Sequence, residues 1–188
     1  MSNTLHPEHD IQKWTVLESE YLIRRPWLTA RRDRVQLPNG VINPEYYVLE
    51  YPDWVNIIAI TDDGRMILER QYRHGRGEVG YEIPAGVCES GETPEQAARR
   101  ELLEETGYGE GTWTLNMVAA PNPSTSTNLC HSFIATGVRR LSDQHLEATE
   151  DIALHLLYPD EVLRLMQDGK IIQAPMLCSL WKYFAEKR

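Results

Sequence analysis

The segment Trp54–Thr61 constrains this chain most. Its residues, Trp-Val-Asn-Ile-Ile-Ala-Ile-Thr, are mostly apolar and β-branched, the pattern of a buried strand. Such a strand needs sheet neighbours beside it and helices on its faces. Asp62-Asp63-Gly64-Arg65 follows as a hairpin turn and leads into a second strand, Met66–Tyr72.

The rest of the chain supplies the neighbours. Glu18–Ile23, Leu28–Leu37 and Glu45–Tyr51 read as strands ahead of the buried one, with Pro38-Asn39-Gly40 as a turn. Trp113–Ala119, His131–Val138 and Ile152–Leu157 read as strands after it. One helix in the middle is marked at both ends. Thr93 is its N-cap, Pro94 its first residue, Gln96 completes a capping box, and Gly107 stops it after Thr106. Two more helices follow. One starts at Pro159 and ends before Gly169; the other starts at Pro175 and is expected to bury Leu177, Leu180, Trp181 and Phe184. The order is mixed α/β with an antiparallel bias, an α/β (α+β) chain.

Composition narrows the function. The 188 residues suit one domain with a small attached subdomain, and 41% apolar with 25% charged residues is ordinary for a globular chain. The stretch from Met1 to Asp10 is the one place expected to be loose. No apolar run reaches the roughly 20 residues of a membrane helix. The polar start, with His6, Glu8, His9, Asp10 and Lys13, is unlike a secretory signal. Cys88, Cys130 and Cys178 are odd in number and widely spaced, so reduced thiols and a cytoplasmic location are expected. A net charge of −9 argues against a nucleic-acid binder, although an acidic chain can act on anions through metal cations.

Seven carboxylates lie between Glu82 and Glu105, and three of them, Glu101, Glu104 and Glu105, share one side of the middle helix. At roughly 5.5 Å and an effective dielectric near 20, each such pair repels by about 3 kcal/mol. The negative end of the helix dipole adds to that cost. A divalent cation reverses its sign, and hard oxygen ligands suit Mg²⁺, with Mn²⁺ as a substitute. A solvated face balanced by Arg99 and Arg100 is the plainer alternative.

The surrounding residues decide between the two. Gly86, then five residues, Glu92, seven residues, Arg100-Glu101-Leu102, one residue, Glu104-Glu105, one residue, Gly107 and Tyr108 match every fixed position of the Nudix box, so the chain resembles the Nudix hydrolases. Gly86 and Gly91 permit a tight loop before the helix. Arg100 can pair with Glu92 or a neighbouring acid and hold the loop against the helix. The resemblance extends to the ADP-ribose pyrophosphatase branch. Tyr81-Glu82-Ile83-Pro84-Ala85-Gly86 is similar to its approach to the box, Gln71-Tyr72-Arg73 to its Gln-x-Arg segment, and Pro123 lies 16 residues after Gly107, as its substrate-class marker does. The chain lacks the commoner Pro-Gly pair after that position.

The resemblance implies a mixed sheet sandwiched between helices over 51–188, preceded over 1–50 by an antiparallel β-subdomain that forms a homodimer. It implies Mg²⁺-dependent hydrolysis of a nucleoside-diphosphate-linked substrate, ADP-ribose to AMP and ribose 5-phosphate, with an ADP- or GDP-sugar such as GDP-mannose as the alternative. The metal ligands would be Ala85 (through its carbonyl), Glu101, Glu104 and Glu105. Arg73 would bind phosphate, Glu82 would lie near the metals or the ribose, and Pro123 would mark the substrate loop. Trp27 and Tyr46 are aromatic candidates for adenine stacking, with ordinary packing as the alternative. Arg31 and Arg32 fit solvent-facing strand positions better than phosphate contacts. For the general base, Glu147, Glu150 and Asp151 compete on an acidic loop, and the resemblance favours Glu150, with Glu104 next in line.

Overall fold

The structure, a computed structural model, describes residues 11–187. The expectation for Met1–Asp10 lies outside them. The chain forms two compact units. The first comprises the described residues up to Tyr51 together with Asn122–Thr127, and the second comprises Pro52–Pro121 and the residues from Asn128 on.

The first unit is a three-stranded antiparallel sheet, β1 (Thr15–Arg25), β2 (Leu28–Gln36) and β3 (Ile42–Glu50), in that order. Gly40, at φ 84°, makes the β2–β3 turn. The strands are laced by ion pairs. Arg31 meets Asp33 and Glu50, and Arg32 meets Glu20 and Glu45, so both arginines are committed to acids of their own sheet. Asn122–Thr127, which the sequence places in the second domain, joins this unit by pairing Leu49 with Thr125 and Thr127.

The second unit holds β4 (Trp54–Thr61), β5 (Met66–Arg73), β6 (Glu78–Glu82), β7 (Ala85–Val87), α1 (Pro94–Thr106), β8 (Tyr108–Gly109), β9 (Thr112–Ala119), β10 (Cys130–Arg140), β11 (Ile152–Leu157), α2 (Pro159–Gln167) and α3 (Ala174–Glu186). Its mixed sheet runs β11-β5-β4-β10-β8, with β6 on β5, β7 on β4 and β9 on β10. β4 and β10 pair in parallel, and a parallel pair needs a long crossover, which here contains α1. β4 is buried on both faces. Val55, Ile57 and Ala59 pack with Ala97, Ala98 and Leu102 of α1, while Ile58 packs with Val162 of α2 and Met176 and Leu180 of α3. Each buried aliphatic side chain contributes about 1.5–3 kcal/mol relative to exposure. Among the described residues no helix is long and apolar enough to cross a membrane, and all three cysteines are free.

Three short strands, β6, β7 and β8, have no counterpart in the sequence reading. They are made by pairing with longer neighbours and carry Gly80, Gly86 and Gly109. The buried stripe of α3 is also rotated. Met176, Ser179, Leu180 and Tyr183 are buried, Leu177 and Phe184 are partly so, and Trp181 is exposed. The small Ser179 explains the rotation, because Asn116 of β9 donates to its carbonyl at 3.1 Å and its hydroxyl at 2.9 Å.

Candidate active site

The cap and stop residues set α1 in place. The Thr93–Gln96 capping box is formed at one end, and Gly107, at φ 74°, closes the other with its N–H on the Leu103 carbonyl. Leu102 is fully buried, which turns Glu101 and Glu105 into the interior and leaves Glu104 half exposed. Gly86 makes room for this rather than making a turn. A Cβ there would lie 2.0 Å from the Glu101 carboxyl carbon. Glu105 accepts a hydrogen bond from the Ala85 N–H at 3.0 Å. The Arg100 guanidinium forks onto Glu92 at 2.8 and 3.0 Å, reaches Glu101 and Glu104 at 2.9 and 3.0 Å, and donates to the Val87 carbonyl at 3.0 Å. These contacts tie the loop before α1 to its acidic side, and the Arg100 pKa rises accordingly.

The sheet completes the site. Glu69, Gln71 and Arg73 alternate along β5 on the face that carries Ile67 into the α1 core. Glu82 of β6 stands directly opposite Glu69 in the ladder, and Arg73 forks onto Glu82 at 3.0 and 2.7 Å. Glu69 is 2% exposed, and its Oε1 has no hydrogen-bond partner. Sequence reasoning missed this residue. Its only local signal is a carboxylate ending the apolar run Met66-Ile67-Leu68, two residues before Gln71.

The buried acids load one another. Burial is the largest cause raising the Glu105 pKa, and Glu69, Glu101 and Glu150 add to it. Glu69 is raised by burial and by Glu82, with Arg73 opposing. Glu101 is raised by burial, partly offset by Arg100. Glu150 thus lies close enough to act on all three. Its loop is folded on itself, with Glu150 Oε2 accepting from the Glu147 N–H at 2.9 Å and the Glu147 carbonyl accepting from the Glu150 N–H at 3.0 Å. The segment before it caps the end of α1. Gln144 Nε2 donates to the Glu105 carbonyl at 2.7 Å and the Ile152 carbonyl at 3.3 Å, and the His145 N–H donates to the Glu104 carbonyl at 2.8 Å.

This donor set fits a small, hard divalent cation. Mutually repelling buried carboxylates supply the charge. Among the described residues no three His, Cys, Asp or Glu side chains converge closely enough to hold a bare ion. Two cavities share Arg73. One, of about 300 Å³, is lined by Asn56, Ala85, Gly86 and Cys130; the other, of about 590 Å³, by Arg76, Tyr81, Glu82 and Lys170.

The remaining candidates fall in the first unit. Trp27 sits in the β1–β2 turn and is exposed. Tyr46 donates its hydroxyl hydrogen to the Ser124 carbonyl, beside Pro123, and packs edge-on against Trp14 at 5.7 Å.

Comparison with known proteins matches residues 50–179 to the NUDIX domain and residues 14–49 to the nucleoside diphosphate sugar hydrolase N-terminal domain. An ADP-ribose pyrophosphatase of Mycobacterium tuberculosis (strain ATCC 25618 / H37Rv) is 32% identical over 170 residues, 89% of this chain and 80% of that one. Another, of Bacillus subtilis (strain 168), is 31% identical over 141 residues, 74% of this chain and 76% of that one. In fold the chain is similar to a crystal structure of an ADP compounds hydrolase, with a TM-score of 0.83 and 24% identity, over 94% of this chain and 95% of that one.

Proposed function

The chain belongs to the Nudix family, and from that premise we propose that it is a Mg²⁺-dependent pyrophosphohydrolase that cleaves ADP-ribose to AMP and ribose 5-phosphate. The observation that carries this reading is the meeting of buried Glu101 and Glu105 with Ala85, under the Arg100 clamp and within one unit with Arg73 and its two cavities. When bound, Mg²⁺, with Mn²⁺ as a substitute, supplies neutralisation of the pyrophosphate charge and activation of water. The chain's own residues do the rest. Glu101 and Glu105, with Glu104 and the Ala85 carbonyl, hold the cation. Arg73 binds a phosphate oxygen with the donor capacity left over from its fork with Glu82. Glu150 accepts the proton of the attacking water at a carboxylate oxygen; the water oxygen bonds to one phosphorus, and the bridging P–O bond breaks with its electron pair leaving on the departing phosphate. Trp27 and Tyr46 offer faces for the adenine, and the protein acts as a homodimer.

The second reading, an ADP-sugar or a GDP-sugar such as GDP-mannose, is supported by the match of residues 14–49 to a domain of nucleoside diphosphate sugar hydrolases. A panel of ADP-ribose, ADP-glucose, GDP-mannose, NADH and a diadenosine polyphosphate, compared by kcat/KM with Mg²⁺, tests both. ADP-ribose is expected to lead by at least about tenfold, since recognition of a terminal sugar involves hydroxyl contacts whose loss is costly. A leading GDP-sugar would select the second reading, and NADH or a dinucleoside polyphosphate in the lead would overturn both.

A further inference from the structure

We infer that Glu69 is a further residue of the cation site, holding from the sheet side a water bound to the cation that Glu101 and Glu105 hold from the helix side. The inference rests on the cation-dependent reading above but assigns a residue outside the Nudix box.

Three observations carry it. Glu69 is 2% exposed, and its Oε1 is inaccessible and without a partner. A carboxylate oxygen left in this state keeps a proton, or, once ionised, needs a donor or a cation. Arg73, on the same face of β5, has its fork turned onto Glu82, the residue opposite Glu69 in the ladder. Finally, Glu69 follows Ile67 by two residues on the same face of β5, and Ile67 shares a buried core with Leu102, which lies between Glu101 and Glu105 on α1. The ladder therefore places two carboxylates side by side but supplies one arginine, whose hydrogen bonds go to Glu82.

A Mg²⁺-sized ion gives up its hydration shell reluctantly, and its waters are strong donors to surrounding carboxylates. Such outer partners orient the ligands and typically change metal affinity by about 10- to 100-fold when removed.

The test reads metal binding without substrate. Mn²⁺ is titrated into the full-length wild type, Glu69→Gln and Glu69→Leu, following bound ion by electron paramagnetic resonance, and thermal unfolding is recorded with EDTA and with excess Mn²⁺. Glu69→Gln keeps the shape, so folding is retained; Glu69→Leu guards against an amide that takes over the water. The expected result is a Kd for Mn²⁺ raised about tenfold or more in both variants. With EDTA their Tm should be equal to or above wild type, and the rise in Tm on adding Mn²⁺ should shrink. A purely structural Glu69 would lower the Tm in EDTA and leave the Kd within twofold, and that outcome overturns the inference. Wild type that binds no Mn²⁺ would overturn both this inference and the cation-dependent reading. Tight binding unchanged by either substitution would overturn the inference alone.

Discussion

A carboxylate buried beside other carboxylates either keeps a proton or faces a cation. Glu69, Glu101 and Glu105 all have raised pKa values, with burial first among the causes. In the metal-free protein they retain protons that the unfolded chain has already released above the ordinary carboxylate range. The folded state then binds more protons, so stability falls as pH rises through that window. The loss is about 1.4 kcal/mol per pH unit for one carboxyl, over the interval between its unfolded and folded pKa. Thermal unfolding in EDTA should therefore show Tm dropping from about pH 5 to about pH 8, and saturating Mg²⁺ should flatten the slope, because the cation favours the charged forms. A Tm that rises over this interval without metal would contradict the buried acids. Glu105→Gln removes one charge while keeping the shape. We expect turnover to fall on the order of 10² or more, as when a preorganised electrostatic group is lost. Folding should be retained, with Tm in EDTA at or above wild type. Near wild-type turnover at saturating Mg²⁺ would remove Glu105 from the site.

The elements differ in how plainly the sequence announces them, and the cause is physical. α1 is written locally, since Thr93, Pro94, Gln96 and Gly107 each act within a turn of the chain, and all perform the roles read for them. β4 is equally plain because burial on both faces needs an unbroken apolar run. β6 and β7 are not, because their pairing with β5 and β4 creates them. Glu69 was invisible for the same reason. Only the Glu82 of a paired strand, together with Glu105 of a helix, turns it from a strand residue into a site residue. Gly86, which the sequence suggests as a loop residue, instead gives space to Glu101. The link between α1 and the Glu147–Asp151 loop is another tertiary feature. Gln144 holds the Glu105 and Ile152 carbonyls together, so Gln144→Met should lose about 1–3 kcal/mol in denaturant titration. It should also lower kcat more than it raises KM, because it frees the loop that carries Glu150. Equal kcat in Gln144→Met would show that the loop is positioned otherwise. Glu150→Gln should cut kcat by about 10² to 10⁴ with little change in KM. Glu147→Gln should do less, since Glu150 is the loop acid whose charge acts on all three buried acids. A larger effect at Glu147 would move the base to that position, and harmless changes at both would point to Glu104.

At the scale of the whole molecule, the first unit presents an incomplete hydrophobic economy. Among its described residues only Asp33 and Val35 are buried, and every residue of β1 is exposed. Val16, Leu17, Tyr21, Leu22 and Ile23 all stand at 42% exposure or more. A sheet of three strands is stable only when an apolar face is covered, and apolar side chains left exposed along one strand point to an association surface. A second copy is the simplest cover, because a two-fold operation places the same patch on both partners. Covering one large aliphatic side chain yields about 1.5–3 kcal/mol, so a few suffice to offset the cost of association. Light scattering is therefore expected to give twice the chain mass of 21.7 kDa at working concentration. Leu22→Asp should shift the protein towards the single-chain mass by placing a charge in the covered face. A wild-type protein that stays at the single-chain mass with full activity would refute the dimer. A Leu22→Asp variant that remains dimeric would move the interface away from β1.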